Sequence, residues 1–551
     1  MLRLLDSPFI RLLREQMRDD WHLLLGLALL AGGSDTLLLI LINESTADAM
    51  AGAFSLPRLV MFMSMLGIHV LTNYHMLRLA GGAMQQLVYG FRTRIFERLM
   101  RVELPEYERL GKAEIQLSLA RDIAILSAPS TPVFSVLGTF ITTICSFLYL
   151  AYLSPLTALV VAALNVGFGI YFLKSRLRVN AFIQEGSELE AHLFNKVSHL
   201  FLGFKELKMH RARRMELLES QLRPLSEQVR EMQDQSNRRL AQHFTSSNVF
   251  YYVAIGITLF VLPSVRVLVG EAAANTIVVM LFLFGNVNEI LFTLSMLLQY
   301  DVAVANLERL ETSLERPPLD ENAPDNRRLQ AETQFEQLQL RAARFSYHDS
   351  HGRSVFTVGP IELEIRRGEL LFLVGGNGSG KSTLLRMLTG LYLPEEGTLS
   401  LNGVPISPSN VDTYRQYFST VFTDFHLFDL FYGLPDVSDA EVQALLKRFQ
   451  LDEKTLYEAH RLSTQDLSTG QRKRLALLTA LVEKRPILIL DEVSADQDPA
   501  FRRFYYEELL PELIAAGKTI IVVSHDDRFF KVAHRVIYVD YGRIDVSRAQ
   551  V

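Results

Sequence analysis

The sequence predicts two unlike parts in one chain. The first half reads as an all-α membrane domain of six spans, and the second as an α/β domain built on a parallel sheet. Three observations predict this. Six apolar stretches before residue 300 are long enough to cross a hydrocarbon layer of about 30 Å. A proline-rich, charged stretch at 315–333 follows, and beyond it short buried runs alternate with helical segments. One of those runs, 370–374, leads straight into Gly375-Gly376-Asn377-Gly378-Ser379-Gly380-Lys381-Ser382-Thr383.

Composition agrees with the division. A chain of 551 residues is too long for one core. Hydrophobic residues make up 49% and charged residues only 21%, more apolar than a soluble enzyme of this size. The net charge of −5 gives no sign of nucleic-acid binding. The single cysteine, Cys145, excludes an intramolecular disulfide and a Cys-rich metal site. It lies in an apolar run and is expected to be a buried, inert thiol.

Residues 1–20 carry Arg3, Arg11, Arg14 and Arg18 and read as an amphipathic helix on the cytoplasmic face. No small-residue cleavage site follows the first apolar run, so it is expected to stay as a span. The spans are expected at 21–42, 54–77, 132–153, 156–173, 247–265 and 276–298. The connections 43–53, 154–155 and 266–275 are short, whereas 80–131 and 174–246 are long and rich in arginine. The positive-inside rule puts the long loops, and with them both termini, in the cytoplasm.

Helical periodicity continues through 89–100 and 173–217, so the helices are expected to extend beyond the membrane. Breaks at 104–112, with Pro105 and Gly111, and at 202–209, with Gly203, predict short helices at the tips, placed to press on the second domain. Ionisable groups inside spans are costly and are candidates for function. Asp35, His69, His75 and Glu289, the last flanked by Asn286 and Asn288, are such groups. Asp35 and Glu289 are candidates for lining a cavity for polar or cationic cargo. An interhelical hydrogen bond is the other reading, and the preferred one for the histidines.

The run 375–383 fits G-x-x-x-x-G-K-[ST] without a mismatch, and the strand before it and the amphipathic helix after it are both in place. Backbone N–H groups of such a loop close around phosphates, helped by the helix N-terminus. Lys381 is the cation for the β and γ phosphates, and Ser382 a hydroxyl ligand for Mg²⁺. Upstream, Tyr347 in ARFSYHD is an aromatic able to stack on adenine. Downstream, LSTGQ at 467–471 offers Ser468 and Gly470 as donors to a γ-phosphate and leads a basic helix. The run ILILDE at 487–492 delivers Asp491 toward a metal and Glu492 toward an attacking water. Ser524 and His525 end another buried strand, where His525 can bond the γ-phosphate.

The glycine loop, LSTGQ, ILILDE and His525, in this order and behind six spans, resemble the ABC transporters, specifically an exporter half-transporter. The resemblance covers essentially the whole chain. It implies a six-helix transmembrane domain at 1–312, a linker at 313–331 and an α/β P-loop nucleotide-binding domain at 332–551. It implies ATP with Mg²⁺, and two copies meeting head to tail so that LSTGQ of one closes on the ATP held by the glycine loop of the other. A homodimer in a lipid bilayer is therefore expected. By the resemblance Glu492 is the catalytic base, His525 the switch histidine and Asp498 the acid of the following loop. The remaining ATP contacts fall on 375–383 and on Ser468, Thr469, Gly470 and Gln471.

Three departures from the common exporter pattern stand out. VFTDFHLF places Thr423 where most members carry a metal-linking glutamine, with Asp424 next to it. Residues 462–466 read LSTQD in place of an acidic, glycine-bearing loop, and 495–498 read ADQD rather than SALD. With LSTGQRKRLAL and SHDDRFF, these resemble the cyclic-peptide and siderophore (pyoverdine-precursor-type) exporter branch. That branch implies a bacterial inner-membrane pump moving a peptide-like cargo outward, because importers usually split these domains across chains. A lipid flippase or a multidrug exporter would carry the same motifs. A membrane-anchored regulatory ATPase is the rival of a different class, and the presence of Lys381, Asp491, Glu492 and His525 speaks against it. A periplasmic partner is left open.

Overall fold

A computed structural model describes residues 7–50, 52, 54–128, 131–261, 271–315, 324–331, 334–349, 352–458 and 460–550. The chain falls into two compact units, Met1–Val102 with Glu106–Arg316, and Glu103–Pro105 with Pro317–Val551.

The first unit is helical. Its elements are α1 (Pro8–Gln16), α2 (Trp21–Met50), α3 (Leu56–Arg101), α4 (Leu104–Leu110), α5 (Lys112–Leu117), α6 (Ile123–Ser127), α7 (Thr131–Leu153), α8 (Pro155–Leu202), α9 (Phe204–Met209), α10 (Arg211–Glu216), α11 (Arg223–Gly256) and α12 (Glu271–Ser313). Among the described residues, five stretches are long and apolar enough to cross a membrane: Trp21–Thr46, Leu56–Arg101, Val133–Leu153, Arg211–Val261 and Ala273–Ser313. The sixth expected span begins α8 and is apolar over the shorter Pro155–Tyr171. Ser154 caps α8 by accepting from the Thr157 N–H, with Pro155 in the first turn. Of the connection expected at 266–275, residues 271–275 already belong to α12, while 266–270 and the end of the fifth span, 262–265, lie outside the described residues.

Helices α3 and α8 run well past their apolar stretches, as the periodicity at 89–100 and 173–217 predicts, and α11 also outruns its apolar stretch. Gly203 ends α8 and the tip continues as α9, whose Phe204 and Met209 are exposed. Helix α1 departs from the surface helix expected at 1–20. Its apolar face is buried: Phe9 stacks on Tyr300 of α12 at 4.9 Å, and Ser7 and the Phe9 N–H both bond Asp301. A cap and a buried aromatic hold a nine-residue helix that composition alone leaves on the surface. Cys145 is half-buried on α7, not fully buried as expected.

The second unit begins with α13 (Pro324–Ala331), a helix inside the stretch expected as linker. Leu329 draws it onto the core, and Tyr417 donates to the Leu329 carbonyl at 3.0 Å. Residues 316–323 of the linker lie outside the described residues. There follow β1 (Gln337–His348), β2 (Ser354–Arg366), β3 (Leu370–Val374), α14 (Lys381–Leu388), β4 (Glu396–Leu401), β5 (Val404–Pro405), α15 (Val411–Arg415), β6 (Phe418–Val421), α16 (Asp439–Arg448), β7 (Tyr457–Glu458), β8 (Arg461–Leu462), α17 (Thr469–Val482), β9 (Ile487–Asp491), α18 (Pro499–Phe504), α19 (Leu510–Ala515), β10 (Thr519–Val523), β11 (Arg535–Asp540) and β12 (Arg543–Gln550).

Two larger sheets form. Antiparallel β2-β1-β4-β5 carries Tyr347, and β12-β11-β3-β10-β9-β6 is parallel apart from β12 at its edge. Strands β3, β9 and β10 are buried along their whole length, which is why LLFLV, ILILD and TIIVV show no alternation. The register decides the rest. Val523 of β10 pairs with both Leu373 of β3 and Asp491 of β9. The glycine loop, Glu492 and His525 therefore all leave the sheet at the same end. In open α/β sheets ligands bind at the carboxyl ends of the strands.

Candidate nucleotide site

The glycine loop connects β3 to α14. A Cβ on Gly375 would lie 2.1 Å from the Val539 carbonyl oxygen, so no side chain fits there. Gly376, Asn377 and Gly378 form the exposed crest. The Lys381 ammonium folds back and donates to the Gly375 and Gly376 carbonyls, 2.8 Å each. Burial lowers its pKa, while Glu492 and Asp491 pull it back up. The Ser379 hydroxyl in the same loop is buried without a partner among the described residues. A buried cation, an orphan hydroxyl and the N-terminus of α14 around Gly380 make a cradle that suits a polyphosphate. Ser382 is exposed on the first turn of α14. Thr383 is buried and bonds the Tyr347 hydroxyl at 3.1 Å. The Tyr347 ring meets Phe345 and Tyr392 edge-on, at 5.4 and 5.9 Å. Tyr347 is thus tied to the phosphate loop, a link that its place in the sequence does not reveal.

Asp491 ends β9 and is 4% exposed. Burial pushes its carboxyl up, and hydrogen bonding from Thr423 opposes that. Thr423 therefore sits beside Asp491, while the exposed Asp424 turns toward Arg386 at 3.6 Å. The next residue, Glu492, takes a left-handed backbone (φ +53°), which costs a non-glycine residue roughly 1–2 kcal/mol. The Glu492 N–H bonds the Val523 carbonyl at 3.2 Å, and Lys473 donates to the Glu492 carbonyl at 3.0 Å. The turn aims the carboxylate at His525, with Nε2 to Oε1 at 3.2 Å. A cavity of about 280 Å³ opens there, lined by Glu492, Ser494, Ser524, His525, Asp526 and Arg502 among others.

LSTGQ sits differently. Ser468 caps α17, accepting from the Gln471 N–H at 3.4 Å, and Gln471 Oε1 accepts from the Ser468 N–H at 3.1 Å. Thr469 opens α17. A Cβ on Gly470 would lie 2.6 Å from the Asp496 carbonyl oxygen, and Gln497 donates to the Gly470 carbonyl at 2.9 Å. These bonds tie the motif to the 495–498 loop of its own chain, and none of them reaches 375–383. Asp498 caps α18, accepting from the Ala500 and Phe501 N–H groups at 3.0 and 2.9 Å, and pairs with Arg474. The Phe501 N–H, aided by Arg474, holds its carboxyl below the usual range. The carboxylate expected to contact ligand thus has its partners inside the chain.

Two residues here were read only as part of a basic helix. Lys473 and Arg474 are 6% and 8% exposed. Lys473 bridges the Glu492 carbonyl and the Asp496 carboxylate, both at 3.0 Å. Arg474 bonds Gln497 at 2.8 Å and lies 4.0 Å over the Phe501 ring. They hold the turn that carries Glu492. No signal in a basic run marks which cations are buried, because their acceptors lie far along the chain.

In the spans, Asp35 on α2 lies 4.0 Å from His69 on α3, and His69 meets Asn73 at 2.9 Å. Glu289 on α12 accepts from Ser135 on α7 at 2.7 Å. Both acids make interhelical contacts, as does His69, while His75 is exposed with its ring edge-on to Tyr74. Asn286 Nδ2 and Asn288 Oδ1, beside Glu289, are buried without partners among the described residues.

Residues 358–495 match the ABC transporter family. Over 474 residues, 84% of this chain and 83% of the other, the sequence is 32% identical to the ATP-binding protein SyrD of Pseudomonas syringae pv. syringae. The chain belongs to the ABC transporters. The half-transporter is also similar to the ATP-dependent lipid A-core flippase of Burkholderia orbicola (strain AU 1054), 26% identical over 83% of this chain and 78% of that one. It is 30% identical to the lactococcin-A transport/processing ATP-binding protein LcnC of Lactococcus lactis subsp. lactis, over 47% of this chain and 39% of that one. Its fold matches a bacterial Atm1-family ABC exporter solved with ATP bound, with a TM-score of 0.74 at 18% identity, covering 96% of this chain and 94% of that one. It is an ABC exporter, a multi-pass membrane protein that binds ATP and couples its hydrolysis to transport.

Proposed function

We propose that this ABC half-transporter works as a homodimer in the bacterial inner membrane and exports a peptide-like cargo, a cyclic peptide or a siderophore precursor. The observation that carries the cargo reading is the similarity to LcnC, a lactococcin-A transport/processing protein. The motifs LSTGQRKRLAL and SHDDRFF support the same branch, and the similarity to SyrD runs through both the membrane part and the nucleotide part.

The homodimer is supported by the placement of the motifs. Lys381, Asp491, Glu492 and His525 lie at one end of the sheet, while LSTGQ is bonded to the 495–498 loop of the same chain. A second copy supplies LSTGQ to each glycine loop. The transmembrane domain is assigned to 1–312, the linker to 313–331 and the nucleotide domain to 332–551, with both termini cytoplasmic by the arginine-rich loops.

Within each site, residues 375–380 and Lys381 hold the phosphates and Tyr347 the adenine. Ser382, Asp491 and Thr423 hold Mg²⁺, which neutralises phosphate charge when bound; Asp424 is the alternative to Thr423. Glu492 takes the proton of a water whose oxygen bonds the γ-phosphorus as the bond to ADP breaks. His525 fixes the Glu492 carboxylate and reports the loss of the γ-phosphate.

A lipid cargo is the second reading, favoured by the flippase relative. The deciding experiment is ATPase activity of the purified protein in lipid nanodiscs with a siderophore precursor peptide, an unrelated cyclic peptide, a lipid A-type lipid and a cationic drug. Selective stimulation by the peptides is expected. Stimulation by the lipid or the drug alone overturns the peptide reading and leaves the exporter standing.

A further inference from the structure

Glu492 follows β9 and His525 follows β10, and the two backbones part at once. Asp491 and Val523 are the last paired residues of these strands. The bond from the Glu492 N–H to the Val523 carbonyl, at 3.2 Å, is the last backbone link between the two segments among the described residues. Beyond it the 493–498 loop leads to α18, while the other chain enters a short 3₁₀ turn, Asp527–Val532. The 3.2 Å from His525 Nε2 to Glu492 Oε1 therefore depends on side chains that tie the two strand ends together.

Tyr506 makes the nearest such tie. It is 0% exposed and sits in the π-helical turn Tyr505–Leu509 that joins α18 to α19. Its hydroxyl hydrogen-bonds Ser494 at 2.7 Å and Ser524 at 2.6 Å. Ser494 lies two residues after Glu492, and Ser524 lies one before His525. A hydroxyl has one proton to give and lone pairs to accept with, so the phenol serves both serines at once. Ser524 also accepts from the Asp526 N–H at 3.0 Å, so both neighbours of His525 are held. Burial pushes the Tyr506 phenol up, against the bonds from the two serines, and it stays neutral at ordinary pH.

The ring and the hydroxyl do separate jobs. The ring stacks on Phe529 at 4.4 Å and meets Phe372 of β3 at 5.9 Å, contacts that a phenylalanine would keep. Both serines line the cavity of about 280 Å³ together with Glu492 and His525, and Tyr506 stands behind that wall. A second tie, Arg502, is longer and lies farther along both loops: it donates to the Gln497 carbonyl at 3.3 Å and stands 3.5 Å from Asp526. π-Helical turns recur at functional sites. This one buries two consecutive tyrosines that differ in their hydroxyls. Tyr505 is also 0% exposed, but its hydroxyl has no partner among the described residues.

We propose that Tyr506 is a positioning residue for ATP hydrolysis, whose hydroxyl ties the Glu492 turn to the His525 strand end and so sets the distance between base and switch histidine. Misplacing a catalytic group by about 1 Å costs on the order of 10²-fold in rate. The hydroxyl bonds nothing in 375–383, so ATP binding does not depend on it. This role rests on the assignment of Glu492 and His525 proposed above.

The test is steady-state phosphate release by the full-length protein in nanodiscs, with rates expressed per ATP site titrated by a fluorescent analogue. Tyr506→Phe should lower kcat by about tenfold or more and leave the KM for ATP within about twofold. Tyr505→Phe removes the same atom from the neighbouring ring and should leave kcat as in the wild type. Ser494→Ala breaks the tie from its other end, which keeps the role testable should Tyr506→Phe fail to fold. It should slow turnover too, and added to Tyr506→Phe it should cost nothing further, because the tie is already broken. Thermal unfolding checks that each variant is folded at the assay temperature. The role is excluded by a wild-type kcat in folded Tyr506→Phe or Ser494→Ala, by an equal loss in Tyr505→Phe, by a rise in KM that accounts for the loss, or by costs of Tyr506→Phe and Ser494→Ala that add. Glu492→Gln, measured alongside, separates the two claims. Normal turnover there overturns the assignment of the base, whereas a stalled Glu492→Gln beside a normal Tyr506→Phe overturns the role of Tyr506 alone.

Discussion

His525 Nε2 stands 3.2 Å from Glu492 Oε1, joining the ends of two neighbouring parallel strands. The pair exists because Glu492 adopts a left-handed backbone that Lys473 and the Val523 carbonyl hold in place. Glu492→Gln keeps the size and the hydrogen bond but removes the base. We expect steady-state phosphate release to fall by about 10²–10⁴-fold while ATP stays bound. Normal turnover in this variant would exclude Glu492 as the base.

Lys381 is the buried cation of the glycine loop. Lys381→Ala removes the charge that faces the phosphates. ATP affinity, followed with a fluorescent analogue, should weaken by about tenfold or more. Unchanged affinity would count against the phosphate-loop assignment.

Gly470 lies against the Asp496 carbonyl, with no room for a methyl group. Gly470→Ala should lower stability by about 1–3 kcal/mol, read as a drop of several degrees in the unfolding midpoint, and should cut ATPase activity. Gly285→Ala, where the added methyl meets open space, is the control. Equal midpoints for the two variants would show that the close contact at Gly470 does not matter.

Asp498 carries a pH prediction. Its folded pKa lies below the ordinary 3.8, held down by the Phe501 N–H and Arg474. A depressed carboxyl stabilises the fold fully above its unfolded value and loses that effect as pH falls through the folded value. The unfolding midpoint of Asp498→Asn should therefore trail the wild type by a constant margin from pH 7 to about 5, narrowing below about 4. A margin that grows on acidification would contradict the sign.

Much of this was legible in the residues. LLFLV followed by a glycine loop, ILILD followed by glutamate, and TIIVV followed by Ser-His each announce a buried parallel strand with chemistry at its end. The helical periodicity at 89–100 and 173–217 announced helices that outrun the membrane. What stayed hidden has one physical cause, which is that its partners are remote in sequence. Lys473 and Arg474 read as surface charge until β9 and α18 bring their acceptors. Asp122 lies in an unremarkable stretch and is buried only once the helices of the membrane unit close around it. Helix α1 looked like a surface helix because its partners, Tyr300 and Asp301, lie about 290 residues away.

The sequence by itself determined the two-part architecture, the strand ends that carry Lys381, Asp491, Glu492 and His525, and the membership of the ABC transporters. These are matters of local period and motif, which short-range sterics and hydrophobic burial set. Only the tertiary structure decided that Thr423 rather than Asp424 stands beside Asp491, that Asp498 is bonded within its own chain, and that Asp122 is buried in the membrane unit. Those outcomes depend on register between strands and on which helices meet, and distances of a few ångströms settle them.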